Sequence, residues 1–189
     1  VSSIYDHARV AARECRSARV HLIDSRQVSM GTGWLAIRAG ELLEESLPVP
    51  KVVRTLNGMR DRIAVLGVLN SLEHLRRSGR IGWATQRVAH FLKIKPVIAF
   101  EQGTAQLLIR VRTYWRAIDR LIELVEDRQP LARLALLHSR ARDEVVDRLH
   151  DALAGYCQET ELPVIDVGAV FATHIGPGGL GVALVQAER

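Results

Sequence analysis

The segment from His174 to Gly181, HIGPGGLG, places an imidazole beside four glycines and a proline. Glycines permit positive φ and let the backbone approach a ligand closely, while proline limits the freedom they would otherwise have. An imidazole donates or accepts a hydrogen bond near neutral pH. Together these residues suit a loop that holds a small acidic ligand, with His174, Gly176 and Gly178 as its candidate contacts. The alternative is a tight turn carrying an incidental histidine. The residues before the loop read as an apolar strand.

Two other places have related chemistry. Asp24-Ser25-Arg26-Gln27-Val28-Ser29-Met30-Gly31-Thr32-Gly33 runs from a strand end into a helix N-terminus. Exposed N–H groups and the positive end of the helix dipole make such a place receptive to anions. An ordinary strand–turn–helix with a Ser or Thr cap is the competing reading. In Arg76-Arg77-Ser78-Gly79-Arg80-Ile81-Gly82, arginine beside glycine can present its planar fork to a carboxylate or phosphate. Here the competing reading is a solvated basic helix end.

Catalytic patterns are missing from the sequence. It contains no Ser-His-Asp arrangement, no GxxxxGK[ST], no GxGxxG following a strand in the right register, and no HExxH or HxH. Cys15 and Cys157 lie far apart without a CxxC pattern, which suits reduced thiols rather than a disulfide framework. Anion-friendly features without catalytic apparatus point to binding, with no metal.

Helices are expected over 4–17, 33–45, 50–61, 72–77, 83–92, 114–127 and 143–156. The clearest is 114–127, where Ile118, Leu121, Ile122 and Val125 fall at i, i+3, i+4, i+7. Strands are expected over 20–23, 64–69, 95–100, 105–111, 131–138, 163–168 and 182–186. The pair around Glu101-Gln102-Gly103-Thr104 reads as a hairpin. The whole is an α/β protein in two blocks. Residues 1–60 read as an incomplete N-terminal α/β layer, and residues 61–189 as a domain with a mixed sheet of about six strands.

The net charge of +5 weakly favours acidic partners. Arginines are scattered and aromatics are only 5% of residues, so the basic patch with stacking platforms that nucleic acid requires is not present. No apolar run approaches the length of a membrane span. A cytoplasmic protein without an integral membrane segment is expected.

Taken in order, IDSRQVSMGTG (23–33), LNSLEHLRRSGRIG (69–82), IKPVIAF (94–100), VRTYWRAI (111–118) and ATHIGPGGLGVAL (172–184) resemble the DegV family of bacterial fatty-acid-binding proteins. That resemblance implies two α/β domains with a long-chain fatty acid between them. It also implies that the carboxyl group is presented to a separate ATP-dependent fatty acid kinase, whose acyl-phosphate product enters phospholipid synthesis. The protein would then be a carrier rather than an enzyme, with no cofactor beyond its bound fatty acid.

The resemblance also implies roles residue by residue. His174 matches the family histidine of the carboxyl network, and Ser25 and Ser29 match the DSxxxS element beside the pocket. Arg80 matches the arginine expected to face the carboxyl group and acyl-phosphate. Arg112 matches one used toward the kinase. The family's carboxyl-binding serine aligns with Ser2, or failing that Ser3. Ser3 and Ile4 stand where the family usually has glycine and threonine, and its upstream threonine element has no counterpart here. The N-terminal layer is therefore expected to continue before Val1. Alternative roles are a regulatory or structural subunit with a vestigial pocket, and a small-molecule phosphotransferase subunit.

Overall fold

Alternation of side chains along the apolar runs builds one six-stranded sheet in the order β3-β2-β1-β6-β4-β5. The strands are β1 (Ile63–Val68), β2 (Lys95–Glu101), β3 (Thr104–Val111), β4 (Leu131–Ser139), β5 (Val164–Asp166) and β6 (Gly179–Gln186). All neighbours are antiparallel except β4 and β5, so the sheet is mixed, as expected. The computed structural model describes residues 3–80, 94–156 and 161–188. Within them lie seven α-helices: α1 (Ile4–Glu14), α2 (Met30–Glu44), α3 (Val49–Arg60), α4 (Glu73–Arg77), α5 (Tyr114–Glu126), α6 (Asp143–Leu153) and α7 (Gly168–Ile175). None of them is long and apolar enough to cross a membrane.

The period of two gives the sheet two different faces. Ile63 and Val65 of β1, with Ala183 and Val185 of β6, face α2, α3, α4 and α7. Ala64, Leu66 and Val68, with Val182 and Leu184, face α5 and α6. Trp34 of α2 donates its indole N–H to the Ala183 carbonyl at 3.1 Å, which fixes α2 against the first face. The apolar cluster on that face joins α2 and α3 to β1, so it runs across the chain at residue 60.

Two expected strands take another form. Val20–Ile23 joins no ladder; it runs between α1 and the loop before α2, and Ile23 packs against the first face. An apolar run becomes a strand only where a neighbour shares its backbone hydrogen bonds, and no described residue does so here. The segment before His174 is the helix α7, not a strand. Gly168, at φ 72, donates its N–H to the Asp166 carboxylate at 2.8 Å and turns the chain out of β5 after three residues. The β-branched Val170, Thr173 and Ile175 disguised this helix as a strand. The helix expected over 83–92 lies outside the described residues.

Candidate functional site

α7 ends at Gly176, whose φ of 77 carries the chain out of the helix. Side chains cannot hold a glycine loop in place, so its backbone is held by neighbours at three points. Asn70 Nδ2 donates to the Pro177 carbonyl at 2.9 Å, and Gly178 N donates to the Ser139 carbonyl at 2.6 Å. Tyr114, the first residue of α5, donates its hydroxyl to the Gly178 carbonyl at 2.5 Å. Burial pushes the Tyr114 phenol up to about 12, against the opposing charge of Arg142, so it remains a donor at neutral pH. Lys95 Nζ in turn bonds the carbonyl and side-chain oxygens of Asn70 at 3.0 and 3.2 Å.

Both loop glycines are required. A Cβ on Gly176 would stand 2.5 Å from the His74 ring, and one on Gly178 would collide with the Asn70 amide. The packing of α4 on α7 therefore depends on backbone contact at Gly176.

His174 occupies the last turn of α7. Its Nδ1 is buried and has no hydrogen-bond partner among the described residues, although buried polar atoms nearly always find one. Burial first, and then the charge of Arg80, hold its pKa below the usual 6.5, so the ring is neutral at pH 7. An unpartnered neutral imidazole beside a cationic side chain is ready to donate to an incoming carboxylate.

Arg80 follows the Schellman turn that closes α4. Arg80 N donates to the Leu75 carbonyl and Gly79 N to the Arg76 carbonyl, with Gly79 at φ 70. The two preceding arginines are already paired: Arg76 and Arg77 both bond Glu73, whose carboxyl they hold down at about 2. Arg80 is exposed and has no carboxylate partner among the described residues. Arg80 stands close enough to His174 for its charge to act on the ring. Ile81 and Gly82 lie outside the described residues.

Ser25 and Ser29 stand at the opposite end of the same face. Ser25 Oγ bonds Thr32 Oγ1 at 3.0 Å and accepts from Gln27 N at 3.3 Å. Their loop is tied to the Ile63 end of β1 by Gln27 Nε2, 2.8 Å from the Ile63 carbonyl, and to the β2–β3 turn by Gly103 N, 2.8 Å from the Arg26 carbonyl. The histidine loop lies beyond the Val68 end, next to Asn70. At about 3.3 Å per residue the two ends of β1 are about 16 Å apart. Ser29 caps α2 with φ 48 and no side-chain cap bond. Ser3 is exposed at the start of α1, a helix that buries none of its residues, and Ser2 lies outside the described residues. Arg112 is exposed after β3, at the same end of the sheet as Lys95, because Val111 and Lys95 are paired.

Sequence reasoning missed Asn70, His74 and Tyr114, which hold the loop. The polar residues directly after strand β1 were the available signal for Asn70. No local signal marks Tyr114, which reaches the loop from 64 residues away.

Known proteins agree with this architecture. The family model described as "Uncharacterised protein, DegV family" matches residues 1–187. A DegV domain-containing protein of Streptomyces coelicolor is 35% identical over 189 residues, covering 97% of this chain. One from Staphylococcus aureus is 30% identical over 190 residues, covering 98% of it. The chain spans 66% and 65% of the lengths of these two relatives. Among solved structures, a fatty acid binding DegV family protein from Streptococcus agalactiae superposes with a TM-score of 0.88 at 26% identity, over 99% of this chain and 67% of that one. A DegV family protein from Thermus thermophilus, described by its fatty acid binding, gives 0.87 at 30% identity, over 98% and 67%. With a family match across almost its whole length, the chain belongs to the DegV family.

Proposed function

We propose that the protein binds a long-chain fatty acid and presents its carboxyl group to a separate ATP-dependent fatty acid kinase. The observation that carries this reading is the buried, unpartnered Nδ1 of His174 on a loop fixed by Asn70, Ser139 and Tyr114. The fatty acid binding described for the Streptococcus agalactiae and Thermus thermophilus proteins supports it. His174 donates to the carboxylate, and the backbone around Gly176 and Gly178 shapes its seat. The alkyl chain contributes most of the affinity, at about 0.8 kcal/mol per buried CH₂ before ordering costs. Residues 1–60, whose helices α2 and α3 share a core with β1, contribute Ser2 or Ser3 and the Ser25–Ser29 loop to the binding cleft. Arg80 faces the carboxyl group and the phosphoryl group transferred to it, and Arg112 meets the kinase. The carrier itself performs no chemistry, needs no cofactor and works in the cytoplasm.

Titration of the purified protein with oleate and with octadecenol, which keeps the tail but lacks the carboxylate, tests this reading. Saturable oleate binding, with much weaker binding of the alcohol, is the expected result. Equal binding of both removes His174 from the account, and no binding of either removes the account itself. For presentation, Arg80→Ala is expected to keep oleate affinity within about twofold, as for an exposed charge. The same variant is expected to abolish acyl-phosphate formation with a fatty acid kinase; full turnover by it contradicts the role given to Arg80.

A further inference from the structure

The first face of the sheet has a gap at its centre. Gly67 of β1 and Gly181 of β6 are cross-strand partners, so neither strand places a side chain there. Together with Gly179 they floor an apolar cavity walled by Ile98, Phe100, Val167, Phe171 and Ile175. Its volume is about 20 Å³. Phe100 and Phe171 meet edge to face, with ring centroids 6.0 Å apart. β1 is an inner strand of the sheet, yet Gly67 is its only residue that is not buried.

The fold explains one glycine of the pair and not the other. A Cβ on Gly181 would run into the Leu66 carbonyl and come within 3.1 Å of the Gly67 Cα. A Cβ on Gly67 would meet only the Leu180 carbonyl, at 3.5 Å, an ordinary contact. Gly67 is not among the positive-φ residues, so its backbone would accept any side chain. A glycine inside a strand weakens it and marks a place where another group approaches closely. No described part of the chain fills that place. The gap adjoins the histidine loop, since Ile175 and Gly179, on either side of Gly176–Gly178, line the cavity.

We propose that Gly67 is a specificity-determining residue, its missing side chain seating the first methylenes of the ligand's alkyl chain beneath His174. This rests on the fatty-acid reading above. An apolar floor and aromatic walls suit an unbranched alkyl chain, and backbone exposed at Gly67 is covered when the chain lies on it.

Gly67→Ala and Gly67→Val fill the seat while leaving the polar loop unchanged. Thermal melts of both are expected to match or exceed the parent protein, because either side chain restricts the unfolded backbone more than glycine does, and β-branched valine also suits a strand. Oleate affinity is expected to fall by about tenfold in Gly67→Val, the equivalent of about two methylenes left unburied. Gly67→Ala should show a smaller loss in the same direction. Parent-like oleate affinity in Gly67→Val overturns the proposal and leaves the fatty-acid reading standing. If Gly67→Val melts early, Gly67→Ala decides, and an unchanged affinity there overturns the proposal as well. Failure of the parent protein to bind oleate overturns both.

Discussion

The two faces of the sheet are made by the same strands yet differ in how completely they are covered. Beneath α5 and α6, Leu66, Leu134, Leu136, Ile118, Leu121 and Leu149 are all 0% exposed. The opposite face keeps Val28, Met30, Val167 and Phe171 half-buried, and it holds the glycine-floored cavity, next to the α7 helix that carries His174. β6, Gly179–Gln186, reads GLGVALVQ: Leu180, Val182 and Leu184 go to the closed face, and Gly181 and Ala183, with Val185 beyond them, to the open one. One period-two pattern thus assigns stability to one side and ligand space to the other.

That difference is testable by substitutions on each side. The largest effect is expected on the closed face, where Leu136→Ala should destabilise by about 2–5 kcal/mol through loss of burial and an unfilled cavity. Denaturant unfolding measures it, and oleate affinity of the folded fraction should be unchanged. On the open face, Phe171→Ala should lower stability by about 1 kcal/mol, since the ring is only partly buried. Its oleate affinity should nonetheless fall more than that of Leu136→Ala. Equal losses of stability in the two variants would erase the distinction.

Tyr114→Phe sits between the faces. It removes only the hydroxyl that donates to Gly178, so a stability loss of about 1 kcal/mol is expected, with weaker oleate binding as the loop loosens. Parent-like melting and binding would make that contact dispensable.

The smallest effect is in pH dependence. His174 has a folded-state pKa below its usual 6.5, so as pH falls through 6.5 the unfolded chain takes up its proton first. Stability from this group is therefore present above pH 6.5 and is lost as pH drops through the lowered folded value. His174→Gln should flatten that slope in melts between pH 5 and pH 7. A bound carboxylate favours the charged ring, so oleate binding should be accompanied by proton uptake near pH 6.

What the sequence revealed depends on how local the determining contacts are. α5 was legible because Ile118, Leu121 and Val125 repeat with helical period and are all 0% exposed. The β2–β3 hairpin was legible because Gln102 and Gly103 can both take the positive φ, 51 and 80, that a two-residue turn demands. α7 was not, since Ala169, Phe171 and Ala172 are mixed with β-branched residues that mimic a strand. The same limit applies to the site. His174 and its glycines are contiguous, and Arg80 sits on a local turn, so both are candidates that the sequence alone can name. Asn70, His74 and Tyr114 meet the loop only through the tertiary fold; polar residues after a strand hint at Asn70, but nothing near His74 or Tyr114 announces the contact. The distance between Ser25, Ser29 and His174 is set by the length of β1, which no local pattern reveals.

The most direct measurement of the central claim is mass spectrometry of lipids extracted from the purified, natively folded protein. The account predicts a long-chain fatty acid in near-equimolar amount, depleted in Gly67→Val and retained in Leu136→Ala. A protein that carries no fatty acid, and takes none up when oleate is supplied, would contradict it.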